Sequence, residues 1–136
     1  MQSSLSLTLV SAVALIDADG RVLIGRRPEG GAMAGLWEFP GGKIQMGETP
    51  EDALIRELKE ELIIDVAASC LAPLTFASHA YANFHLLMLL YVCRRWRGTV
   101  TAHAHDRLAW VRPIDLGKYE MPDADRPLIP MLIDLL

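Results

Sequence analysis

Apolar positions fall in two rhythms along this chain. Leu7 to Ile16 is a nearly continuous apolar run that predicts a strand, and Asp17-Ala18-Asp19-Gly20 turns it into a second strand from Arg21 to Gly25. Pro28 to Gly35 is glycine-rich and reads as a loop. Trp37-Glu38-Phe39 has the aromatic weight of a short strand, broken by Pro40-Gly41-Gly42. From Pro50 to about Leu62 the rhythm changes, because Leu54, Leu58 and Leu62 recur at helical spacing and form one apolar stripe. Leu74 to Ala80 and Phe84 to Arg94 then predict a hairpin joined near Tyr81-Ala82-Asn83, and Leu108 to Val111 a further short strand. Asp125 to Leu136 reads as a C-terminal helix with Pro127 in its first turn, deformed by Pro130. Strands separated by helices predict an α/β sandwich, with no internal repeat and no second domain.

The central helix carries its own start signal and its own chemistry. Thr49 is a good N-cap, Pro50 suits the first helical position, and Asp52 stands where a capping box places its acid. Glu51 and Asp52 add negative charge at the positive end of the helix dipole. Opposite the leucines, Glu57, Glu60 and Glu61 share an arc of about 100° on one flank. Such carboxylates repel one another by a few tenths of a kcal/mol per exposed pair. Two readings account for them: a solvated acidic face relieved by Arg56 and Lys59, or a site for a hard divalent cation that takes oxygen ligands and bridges to phosphates.

Composition narrows the function. The chain has 136 residues, 51% of them hydrophobic, and a formal net charge of -4, so a single domain with a real core is expected over 1–136. No basic cluster offers itself to a nucleic-acid polymer. Cys70 and Cys93 form no CxxC pair and read as buried, reduced thiols of a cytoplasmic protein. The apolar N-terminus lacks a basic region, and no run approaches membrane-spanning length, so neither a targeting segment nor a membrane partner is expected.

From Gly42 through Glu48 to Arg56-Glu57-Leu58-Lys59-Glu60-Glu61, the spacing resembles the signature of the Nudix hydrolases, which cut a diphosphate linked to another moiety. All but one of the signature's fixed residue types are present; Ile63 stands where the pattern has glycine. Flanking segments narrow the resemblance to MutT-type nucleoside triphosphate pyrophosphohydrolases: Leu23-Ile24-Gly25-Arg26-Arg27, Gly35-Leu36-Trp37-Glu38-Phe39-Pro40-Gly41-Gly42, and Met121-Pro122-Asp123-Ala124-Asp125-Arg126-Pro127-Leu128. The resemblance implies an α/β/α Nudix sandwich with a mixed sheet between helices. It also implies Mg²⁺, or alternatively Mn²⁺, held by Glu57, Glu60, Glu61 and the Gly41 carbonyl. Glu48 and Arg56 are expected to pair and brace the loop against the helix.

The same resemblance makes Arg27 a phosphate contact, although an arginine at a strand end is as readily a surface charge. Asp125 falls where the family reads the base, and its type also suits a helix cap. Phe84 stands where some relatives of this type have an arginine, so an aromatic face against the base, or a core role, is expected there. The family often carries another glutamate before the final strand; Ala104 occupies that position, leaving His105 and Asp106 as replacements or as ordinary polar loop residues. Implied substrates are an oxidised purine triphosphate such as 8-oxo-dGTP, as in nucleotide-pool sanitation, or CTP and its modified relatives. A hydrolase of nucleoside diphosphate derivatives is a lesser alternative. The rival of another class is a non-catalytic nucleotide-binding module, and the assembly is expected to be a monomer or homodimer.

Overall fold

The computed structural model describes residues 5–136, so the reading of the extreme N-terminus lies partly outside it. The order of elements is β1 (Leu7–Leu15), β2 (Val22–Arg26), β3 (Trp37–Glu38), β4 (Gly41–Lys43), α1 (Pro50–Leu62), β5 (Ala72–Ala80), β6 (His85–Cys93), β7 (Arg107–Val111) and α2 (Ile129–Leu135). Single 3₁₀ segments occupy Ala68–Cys70, Pro113–Lys118 and Arg126–Leu128.

Two sheets form the middle layer. One runs β4-β1-β6-β5, with β1 parallel to β6 and antiparallel to β4; the other runs β3-β2-β7 and is antiparallel throughout. The period-two alternation of β1 sends Val13 and Leu15 to one face and Ala12 and Ala14 to the other. Leu54, Leu58 and Leu62 of α1 bury themselves against the first face, beside Leu23 and Tyr91. Leu128, Ile129 and Leu132 cover the second face with Ile24, Leu90 and Leu116. Both faces of β1 are thus apolar because helices cover both sides, giving the expected α/β/α sandwich.

Local signals hold at α1. The Thr49 hydroxyl accepts from the Asp52 amide at 3.1 Å, and Pro50 begins the helix. Its end is less ordinary: Ile63 adopts the left-handed conformation, φ 58° and ψ 39°, where the family signature has glycine. The turn is therefore kept rather than shifted, with a β-branched residue held in a region that costs about 1–2 kcal/mol.

Three expectations need correction. The C-terminal helix does not run from Asp125; a 3₁₀ turn precedes α2, which restarts so that Pro130 lies in its first turn, where its missing N–H is harmless. Cys93 is buried but Cys70 is only half-buried; both are free thiols. The loop before β7 is not simply exposed, since the His105 side chain is 2% accessible. Among the described residues, no helix is long and apolar enough to cross a membrane.

Candidate active site

The acidic flank of α1 faces β4, and the fit between them depends on missing side chains. A Cβ on Gly42 would lie 2.4–2.8 Å from the Glu57 carboxyl group, so glycine here lets Glu57 lie directly against the strand. Gly41 has φ 152°, and a Cβ there would stand 2.2 Å from the Ser11 carbonyl oxygen of β1. The pair of glycines thus brings backbone close to the carboxylates, as a site for a metal or phosphate requires.

Arg56 organises the loop beneath. Its Nε donates to Glu48 Oε2 at 2.8 Å, one Nη to Glu48 Oε1 at 3.0 Å, and the other Nη to Glu57 Oε1 at 2.9 Å. Glu48 also accepts from the Gln45 amide, and these contacts hold its carboxyl below the usual range, the Arg56 hydrogen bonds first. The expected brace is therefore present, and it also aims Glu57.

Glu57, Glu60 and Glu61 border one cavity of about 530 Å³, together with Arg27, Glu38, Gly41, Gly42, His103, Ala104 and His105. The three carboxylates differ in environment. The Glu60 side chain is 60% exposed and lies 3.6 Å from Arg56, whereas the Glu61 side chain is only 11% exposed. Burial first, then the nearby Glu57 and Glu38 charges, push the Glu61 carboxyl far above its ordinary range, offset in part by the Gly41 amide. Its Oε2 is buried with no hydrogen-bond partner among the described residues. An excess of carboxylate oxygen, one of them orphaned, is the donor chemistry a hard divalent cation satisfies, so the residues fit a bound Mg²⁺ or Mn²⁺.

A second, more apolar cavity of about 190 Å³ adjoins the first and shares Arg27, Glu38, Gly41, Gly42 and Lys43 with it. Asp125, Phe84, Tyr81 and Met88 line its far end. Asp125 is 5% exposed and makes no side-chain cap to the following turn, so the cap reading fails. Burial, then the Glu38 charge, raises its carboxyl to about 7, while the Phe39 amide and Arg27 pull the other way. Phe84 stacks on Tyr81 with centroids 5.2 Å apart and planes 26° from parallel. The Tyr81 hydroxyl accepts from the Ala124 amide at 3.3 Å, tying the hairpin to the segment that carries Asp125.

Arg27 lines both cavities, with its Nε donating to Glu38 Oε1 at 2.9 Å. Asp106 is not available as a replacement carboxylate: Arg26 binds it at two points, 2.9 Å each. His105 instead faces inward, its Nε2 2.9 Å from Glu38 Oε2. Two residues of the groove, Glu38 and Tyr81, escaped the sequence reading. Glu38 did carry a signal, since it is a lone carboxylate between two aromatics in a short strand; Tyr81 carried none beyond its place near a turn.

The NUDIX domain family model matches residues 11–131 of the chain. A CTP pyrophosphohydrolase of Escherichia coli is 36% identical over 124 residues, covering 90% of this chain and 89% of that protein. An 8-oxo-dGTP diphosphatase of Proteus vulgaris is 38% identical over 92 residues, covering 68% of this chain and 80% of its own. The solution structure of the E. coli ORF135 protein superposes with a TM-score of 0.85 at 30% identity, covering 99% of this chain and 94% of that one. With a signature helix, a glycine-lined acidic cavity and relatives of this kind across nearly its whole length, the chain belongs to the Nudix family, as a MutT-type hydrolase.

Proposed function

We propose that this hydrolase cleaves a nucleoside triphosphate to the monophosphate and pyrophosphate, with Mg²⁺, or Mn²⁺ in its place, at Glu57, Glu60, Glu61 and the Gly41 carbonyl. The observation that carries this reading is the continuity of the two cavities. An acidic cavity suited to phosphate and metal opens, through shared walls at Arg27 and Glu38, onto a smaller one lined by aromatics and Asp125. The divalent ion, when bound, supplies neutralisation of phosphate charge and activation of water.

The chain's own residues do the rest. Glu57 is aimed by Arg56, which Glu48 fixes in turn, so the carboxylates are preorganised before substrate arrives. Arg27 places a positive charge between the phosphate and base ends of the groove. Phe84, backed by Tyr81, offers a ring to a base, and Asp125 offers hydrogen bonds to its edge.

Asp125 supports two substrate readings. Ionised, it only accepts, and suits the exocyclic amino group of cytosine; protonated, it donates to the O6 acceptor of an oxidised guanine. The relatives named for CTP and for 8-oxo-dGTP correspond to these two cases. We favour 8-oxo-dGTP, because the carboxyl near 7 can hold its proton at neutral pH. Pyrophosphate release from 8-oxo-dGTP, dGTP, CTP and dCTP with Mg²⁺ tests the reading. Release from none of them, with nucleotide still bound, would make the chain a binding module instead.

A further inference from the structure

The acidic cavity has one wall that offers nitrogen. The loop bearing it is anchored at both ends: the Thr101 amide donates to the Leu62 carbonyl and the His103 amide to the Glu61 carbonyl, each at 3.0 Å, while the Asp106 amide donates to Arg26 at 3.1 Å. Between these anchors the His105 ring lies flat against Gly25, where a Cβ would stand 2.6–2.8 Å from three ring atoms. Glycine at 25 therefore makes the room the ring occupies. His105 Nε2 comes within 2.9 Å of Glu38 Oε2 and 3.8 Å of Glu61 Oε1. One ligand atom from each of Glu38, Glu61 and His105 falls within 4.8 Å of the others.

A hydrogen bond from Nε2–H to Glu38 explains only part of this arrangement. It satisfies Glu38, whose other oxygen already accepts from Arg27. It leaves Glu61 Oε2 buried without a partner among the described residues. Buried carboxylates grouped in this way stay ionised together only with positive charge nearby, and Arg27 reaches only Glu38 among them. The donors present, two carboxylates and one imidazole, are those a divalent transition ion accepts.

We propose that Glu38, Glu61 and His105 form a second divalent-cation site, sharing Glu61 with the site at Glu57 and Glu60, and that its imidazole ligand favours Mn²⁺ or Co²⁺ over Mg²⁺. Mg²⁺ prefers oxygen and retains its water, whereas imidazole binds first-row transition ions well. Binding needs the Nε2 lone pair, so the ring proton sits on Nδ1 in the loaded site. Glu61 would then supply carboxylate oxygen to both sites. His105 fills, from the adjacent position and with a different donor atom, the gap that Ala104 leaves.

The inference rests on the acidic cavity being a metal site, but its test does not require turnover. Electron spin-echo envelope modulation of the Mn²⁺-loaded protein should show a directly coordinated imidazole nitrogen, lost in His105→Gln. Mn²⁺ affinity of that site should fall by at least the about 10–100-fold that even the loss of a ligand's hydrogen-bond partner costs. Gly25→Ala, which displaces the ring while keeping the donor, should also lose the nitrogen signal, and serves if His105→Gln fails to fold. A Mn²⁺-loaded protein without nitrogen modulation, or modulation that survives His105→Gln, would overturn the proposal. Nitrogen modulation without hydrolysis of any triphosphate would leave this site standing and remove the proposed reaction instead.

Discussion

Arg56 binds both carboxylate oxygens of Glu48, at 2.8 and 3.0 Å, and with its remaining Nη reaches Glu57 at 2.9 Å. One guanidinium thereby joins the loop, the helix and a carboxylate that lines the acidic cavity. Lysine cannot reproduce that fork. Arg56→Lys should lower kcat by about 10²-fold through misplacement of Glu57, with a small change in KM for the nucleotide. A variant with wild-type kcat would show that Glu57 needs no such support.

The carboxylates of α1 should separate by environment. Glu57→Gln and Glu60→Gln should both cut Mg²⁺-dependent turnover severely while the protein still folds, since neither side chain lies in the apolar core. In the wild type, saturating Mg²⁺ at about a hundred times its Kd should add about 2.7 kcal/mol of stability over the chelated protein. Glu57→Gln should lose most of that increment. Thermal unfolding with and without chelator measures it, and an undiminished increment would place the ion elsewhere.

Asp125 supplies a pH dependence with a definite sign. Its folded carboxyl is raised from 3.8 to about 7, so the folded protein holds a proton that the unfolded chain has released. The stabilisation is full below about pH 4 and is lost as pH rises through about 7, on the order of a few kcal/mol in all. Asp125→Asn should flatten this part of the stability profile of metal-free protein. The same titration should weaken preference for 8-oxo-dGTP relative to CTP as pH rises. In Asp125→Asn the ranking of bases should change more than the rate on the best one. Ratios of kcat/KM for the two nucleotides across pH decide the matter; an unaltered ranking would take Asp125 out of base reading.

Ile63 gives a prediction about stability alone. It is held at φ 58° and is 45% exposed, so glycine would relieve strain while giving up little burial. Ile63→Gly should stabilise the protein by about 1 kcal/mol, less what glycine adds to the disorder of the unfolded chain. A lower denaturation midpoint would show that the side chain contributes contacts worth more than the strain.

The parts of this molecule visible from its sequence are those whose causes are local. Thr49, Pro50 and the leucines of α1 specify a start, a direction and a buried stripe within a few turns, and the helix forms as they require. The pairing of Glu48 with Arg56 was legible only through the family signature. Contacts made across the fold were harder to read. Glu38 meets His105 from 67 positions away, and Arg26 takes Asp106 out of contention from 80 positions away. Periodicity carries no trace of such meetings. At the C-terminus, composition suggested one helix from Asp125, but the proline at 130 favours a fresh start.

The shared wall of Arg27 and Glu38 gives the groove the properties of a gauge. Because the aromatic end and the acidic end share Arg27 and Glu38, with Gly41, Gly42 and Lys43, a nucleotide seated by its base would have little freedom in which of its anhydride bonds it presents to the carboxylates. Lengthening or shortening the phosphate chain should then change where the bond is cut before it changes whether the nucleotide binds. Selection of the base and selection of the scissile bond would be a single measurement made along one groove.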